Sequence, residues 1–203
     1  MTDQAQKPTG RIVPWFLAYL AVTAGMAVLI NTFDIQDRLL ATGLLVAPLV
    51  LLVPMFRNSL ARAARRGGSG AAQRKYLIRM AVLSLFYLVS LFAAESIIAD
   101  GDRLTPVTLI LALVPGLAVA GYFWAMGRYL IDLEDEFLKM LMVRQSLIGT
   151  AITLSAASVW GFLENFGLVV HVDAYWWPIG FFFGIGVGAL ANYFQYGTTG
   201  DCA

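Results

Sequence analysis

The chain has 203 residues, 59% of them hydrophobic and 13% charged, with a mean hydropathy of +0.73; a soluble domain carries about 25% charged residues, so this composition excludes an ordinary soluble globular protein. Fourteen Lys and Arg against thirteen Asp and Glu leave a net charge of +1, and no excess of positive charge marks a nucleic-acid binder. A single Cys, Cys202, rules out an intrachain disulfide, and a single His, His171, rules out the His clusters common at metal and haem sites.

Crossing roughly 30 Å of hydrocarbon takes about 20 helical residues at ~1.5 Å each, and six charge-poor runs reach or approach that length. The first, Ile12 to Phe33, follows Lys7 and Arg11 and has 22 uncharged residues. That exceeds the roughly 7 to 15 residues of a signal-peptide core, so an uncleaved first helix is expected. Leu39 to Phe56 is the second and shortest run. Arg57 to Lys75 then carries six positive and no negative residues around Arg65-Arg66-Gly67-Gly68-Ser69-Gly70. This stretch reads as a flexible basic cytoplasmic linker and the main topogenic loop. The third run, Tyr76 to Ala99, holds Arg79 at its start and Glu95 near its end; the fourth is Leu104 to Gly127.

Residues 128–144 differ in kind. Asp132, Asp135, Glu136 and Lys139 recur at helical spacing, as do Leu130, Leu133, Phe137, Met140 and Leu141, which predicts one amphipathic cytoplasmic helix of about four turns. Arg128 with Asp132 and Asp135 with Lys139 are spaced as i,i+4 ion pairs. Asp132, Asp135, Glu136 and Lys139 form a candidate partner-docking face. A metal site is not expected, because one helix does not aim Asp132, Glu134 and Asp135 at one point and the glycine of a calcium-binding loop is missing.

The fifth run, Gln145 to Val172, is interrupted only by Glu164, and the sixth is Ala174 to Gly200. Small residues recur every fourth position, Gly149, Thr153, Ala157 and Gly161 in one and Gly180, Gly184, Gly188 and Asn192 in the other. Such stripes let two helices approach closely where lipid offers no hydrophobic drive. His171 falls in the connection beside Asp173 and reads as a solvated loop residue. Lys75 to Glu95 and Arg144 to Glu164 are both 20 residues apart, and Ala-Gly-Tyr-Phe (120–123) resembles Ala-Asn-Tyr-Phe (191–194), a weak sign that spans three and four repeat as five and six.

None of these runs alternates as membrane β-strands do, so the expected fold is an all-α polytopic membrane bundle with spans at about 12–33, 39–56, 77–99, 104–127, 146–168 and 177–196. Twelve of the fourteen cations fall at the N-terminus and in the second and fourth connections, leaving Arg38 and Arg103 opposite. Positive residues in short loops stay in the cytoplasm, which places both termini inside and suggests the bacterial inner membrane. Aromatic residues sit at both expected boundaries, Trp15, Tyr76, Trp124, Tyr129, Tyr193 and Tyr196 within and Tyr175 to Trp177 without.

Few residues offer chemistry. No catalytic set, phosphate loop or cofactor motif is present. Glu95 and Glu164 lie at matching depth late in two outward-running helices, with Asn31 at the same level in the first, and together they are a candidate binding site for a proton, cation or amine. Three readings follow: an interaction or accessory subunit of a membrane assembly, whose partners are lipid and a second protein or further copies of the chain; a small transporter or channel using Glu95 and Glu164; and a membrane enzyme. Polar residues are scarce in mid-span, which argues against a hydrated pathway and favours the first.

Overall fold

A computed structural model describes residues 12–35, 38–64, 67–98 and 105–200. These fold into seven α-helices and one short 3-10 turn, with no strand among the described residues. Six helices are long and apolar enough to cross a membrane: Pro14–Thr32, Gly43–Ala64, Gly70–Ile97, Pro106–Asp132, Glu136–Asn165 and Trp176–Tyr196. The all-helical membrane fold and its six spans therefore stand. Lys7, Arg11, Arg65, Arg66, Arg103 and Cys202 lie outside the described residues.

The chain divides into two compact units between Ile78 and Arg79. In the first, α1 (Ile12–Thr32) packs against the segment that follows it. It ends at Phe33 and Asp34, where Asp34 takes a positive φ of 45° and the Ile35 N–H bonds back to the Ile30 carbonyl. This is a left-handed stop that a short polar side chain tolerates. The second span is built in pieces, α2 (Arg38–Val46), a 3-10 turn (Ala47–Leu51) and α3 (Leu52–Ala64). Pro48 lies buried in the turn, and its missing N–H and its ring disfavour a regular α-helix there.

The linker expected at 57–75 is not a loop. Helix α3 runs to Ala64, and α4 (Gly67–Ile97) has already begun at Gly67. Ala61, Ala63, Ala64, Ala71 and Ala72, with Arg and Gln between them, are strong helix formers. Gly67, Gly68 and Gly70 fall in the first turn of α4, outside the helix interior where a glycine's backbone entropy costs most. Only residues 65 and 66 of that stretch lie outside the described helices.

The second unit holds the rest of α4 with α5 (Pro106–Asp132), α6 (Glu136–Asn165) and α7 (Trp176–Tyr196). Thr105 caps α5 in a reciprocal box with Thr108, and Pro106 follows at the position where a proline N–H is not needed. Helix α6 ends in a left-handed turn at Gly167, with the Leu168 N–H on the Leu163 carbonyl. Helix α7 stops the same way at Gly197.

The tightest packing lies between α6 and α7. A Cβ on Gly184 would stand 2.7 Å from Gly149 Cα, one on Gly188 2.7 Å from Gln145 Cα, and one on Gly180 3.7 Å from the Thr153 side chain. Asn192, fully buried, donates from Nδ2 to the Leu141 carbonyl at 3.1 Å. Each step of four residues along α7 thus meets a step of four backwards along α6, an antiparallel seam in which Asn192, Gly188, Gly184 and Gly180 face Leu141, Gln145, Gly149 and Thr153. Gly161 takes no part, since nothing lies within 4 Å of a Cβ built on it. Continuing the register sets Gly161 opposite position 172, before α7 begins at Trp176. The seam is displaced two turns towards the N-terminal end of α6 from the stripe of small residues in the sequence.

Helices α4 and α5 meet differently. Tyr122 Oη donates to Ser84 Oγ at 3.1 Å, and Leu83 fills the space over Gly121. Long side chains hold this pair where bare backbone holds α6 to α7, so the weak repeat in the sequence does not extend to packing.

Candidate functional site

At the end of α6 the turn at Gly167 folds the chain back. His171, seven residues beyond Glu164, thereby places Nδ1 2.6 Å from Glu164 Oε1, and its Nε2 lies 3.5 Å from Asp173 Oδ1. Trp160 Nε1 donates to the Val170 carbonyl at 3.2 Å and ties the same return strap to α6. The hydrogen bond to Glu164 raises the His171 pKa above its ordinary value, with the charges of Glu164 and Asp173 acting in the same direction. Asp173 raises the Tyr175 pKa by hydrogen bonding and charge. The imidazole is exposed and lies between two carboxylates, which favour its protonated form.

A group whose pKa is raised on folding contributes stability that is complete below its unfolded value, near 6.5, and is lost as pH climbs through the raised folded value. The strap should therefore loosen on the alkaline side of the ordinary histidine range. Because His171 is the single histidine, a histidine-selective NMR titration of the untagged protein reads it without assignment. The midpoint should lie above 6.5 and fall back in Glu164→Gln. A midpoint at the ordinary value in both would remove the pair.

The sequence placed His171 beside Asp173 but did not connect it to Glu164; the glycine stop at Gly167 was the signal that the chain reverses there. Glu95 is exposed near the end of α4 and has no hydrogen-bond or ion-pair partner among the described residues. Asn31 is exposed on α1 in the first unit. Glu164 finds its partner in the strap, and Glu95 is not part of that cluster.

At the opposite end of α6, residues 128–144 are not one continuous helix. Helix α5 ends at Asp132, residues 133–135 are extended, and α6 starts at Glu136. The break has a local cause. Leu133 turns inward to 2% exposure, and Asp135 becomes the N-cap, its Oδ1 accepting from the Phe137 and Leu138 N–H groups at 2.9 and 3.1 Å. With Asp135 outside the helix, Lys139 pairs instead with Glu136 at 2.8 Å. Asp135→Ala should cost about 1 kcal/mol in chemical unfolding, and Asp135→Asn, also a good cap, should cost much less. Equal loss from both would mean that the charge, and not the cap, matters.

Asp132 is enclosed by cations. Arg79 Nη1 lies 2.8 Å and Arg128 Nη2 3.6 Å from its carboxylate, and the Arg79 guanidinium also stands over the Trp124 ring at 5.7 Å. The candidate docking residues thus divide: Asp132 and Asp135 hold the chain's own helices, while Glu136 stays largely exposed beside Lys139. No group of three or more His, Cys, Asp or Glu among the described residues is placed to hold a metal ion. Sequence reading missed Arg79 with Trp124 and the buried Gln145, whose Nε2 donates to the Thr199 carbonyl at 2.5 Å. Residues so far apart in sequence give no local signal of contact.

Comparison with protein-family models, with curated proteins and with solved structures gives no match.

Proposed function

We propose that the protein is a non-enzymatic interaction or accessory subunit of a membrane assembly, with both termini in the cytoplasm. What supports this reading is where the polar side chains of the second unit go. Arg79 to Asp132, Tyr122 to Ser84, Asn192 to the Leu141 carbonyl and Gln145 to the Thr199 carbonyl each join one segment of this chain to another. Such groups rigidify and specify a bundle; a solute pathway needs polar groups left available along its length. The outward stripe of α7, Phe183, Val187, Leu190 and Phe194, is apolar and exposed, suited to lipid or to the helix of a partner.

Crosslinking in the native membrane tests the proposal. Photoreactive residues at Phe183 and Phe194 should give discrete protein adducts of fixed size, and a photoreactive residue at Gly186 serves as a third point on α7. Lipid adducts alone at all three positions would contradict it.

One observation favours a second reading, a proton-linked transporter for a cation or amine. The Glu164–His171 contact of 2.6 Å is a couple able to exchange a proton at one end of a span. That reading requires Glu164→Gln to fold normally and to lose pH-dependent uptake, whereas the accessory reading requires only loss of the strap.

A further inference from the structure

The N-terminal half of α6 carries an open groove of about 390 Å³ lined by Glu136, Lys139, Met140, Val143, Arg144 and Leu147. Its charged members are not equivalent. Lys139 is neutralised by Glu136 at 2.8 Å. Among the described residues Arg144 has no carboxylate partner: its guanidinium lies over the Tyr196 ring at 5.2 Å, and its Nη1 is shielded from solvent with no hydrogen-bond partner among them. The guanidinium charge is thus left without a counter-ion among the described residues, and it attracts an anion to the open groove that Arg144 lines. The other walls are apolar, with Met140, Val143 and Leu147 all exposed, and Leu154 continues the exposed surface along α6.

The position on the helix indicates which anion. Arg144 and Glu164 are 20 residues apart on one helix, about 30 Å, which is the thickness of the hydrocarbon layer. Arg144 therefore stands at headgroup height if Glu164 stands at the other rim. It does so at the end of the second unit that also carries Arg79, Arg128 and Lys139, the end expected from the cation distribution in the sequence to meet the cytoplasmic leaflet, where anionic lipids create a negative surface potential. A guanidinium matches a phosphate with two parallel N–H bonds, and Tyr196 fixes its plane.

We propose that Arg144, held on Tyr196 and flanked by Met140, Val143 and Leu147, binds the phosphodiester of an anionic phospholipid, whose acyl chain lies along α6 over Leu147 and Leu154. Charge complementarity selects the headgroup, and the exposed apolar wall separates a lipid from a free anion. Lys139 provides a second cation, released from Glu136 when the headgroup arrives.

The test uses the full chain, delipidated in a neutral detergent. Mixed micelles containing phosphatidylglycerol should raise the thermal unfolding midpoint, while phosphatidylcholine micelles and millimolar inorganic phosphate should not. In native mass spectrometry the wild type should retain one phosphatidylglycerol in preference to phosphatidylcholine. Arg144→Met should weaken phosphatidylglycerol binding at least about tenfold, the loss expected for a charged hydrogen-bonded contact. Arg144→Lys, which keeps the charge and loses the fork, should fall between, and Lys75→Gln should leave binding unchanged. The proposal is overturned if phosphatidylcholine is retained equally, if inorganic phosphate reproduces the stabilisation, or if Lys75→Gln weakens binding as much as Arg144→Met. Should Arg144→Met not fold, Arg144→Lys and the wild-type lipid competition still decide, and equal retention in either overturns it.

Discussion

Gly184→Leu is expected to abolish or sharply reduce the folded yield, while Gly186→Leu, the same change two residues further on, leaves it near normal. A Cβ at Gly184 would meet Gly149 Cα at 2.7 Å and its carbonyl oxygen at 3.0 Å, and both obstacles are backbone, not the movable end of a side chain. Nothing lies within 4 Å of a Cβ at Gly186. Accommodating a leucine at 184 requires α6 and α7 to separate along the whole seam, which forfeits the contacts at Gly188 and the Asn192 hydrogen bond with it. Overpacking alone costs about 1–3 kcal/mol, and losing the seam adds to that. Fluorescence-detected size exclusion and thermal unfolding in detergent read the comparison. Equal tolerance of the two leucines would mean that α6 and α7 do not touch there.

Asp132→Ala is the second substitution with a large expected effect. Among the described residues it leaves the Arg79 guanidinium, whose side chain is 23% exposed, with only the Trp124 ring, and it removes the carboxylate beside Arg128. Hydrogen bonds to charged groups contribute about 1.5–3 kcal/mol, and stranding a half-buried cation accounts for much of the loss. A double-mutant cycle with Arg79→Ala separates the pair from its parts. The double variant should be little less stable than either single one, because each removes what the other had paired with. Strictly additive losses would show that Arg79 and Asp132 act independently.

The six spans and the all-helical architecture were legible because length and apolarity are properties of continuous segments, and lipid leaves the backbone few alternatives to a helix. The α6–α7 approach was visible in the four-residue spacing of Gly180, Gly184 and Gly188. Its register was not, because Leu141 and Gln145, half of the opposing face, are not small and nothing in the sequence says where α7 begins relative to α6. The break at 133–135 was hidden for a related reason. Periodic charge continues across it, and a carboxylate that caps one helix looks in sequence like one more acidic residue on a helical face. Glu164 was singled out for its depth, but its partner depended on a chain reversal that the sequence marked with a single glycine. The linker at 57–75 was misread because glycines were weighed as a hinge, although their place in the first turn of α4 makes them harmless there.

Arg79 with Asp132, Tyr122 with Ser84, and Gln145 and Asn192 with backbone carbonyls join segments of this chain to one another, and the accessory-subunit reading holds that the spans carry no solute. Flux into proteoliposomes containing the purified protein tests that most directly, with a pH gradient imposed and protons, potassium and methylammonium followed in parallel. The predicted result is flux no faster than in protein-free liposomes between pH 5.5 and 8.5, for the wild type and for Glu164→Gln alike. Uptake that exceeds the protein-free rate, varies with pH through the His171 titration and disappears in Glu164→Gln would contradict the account and establish the transporter.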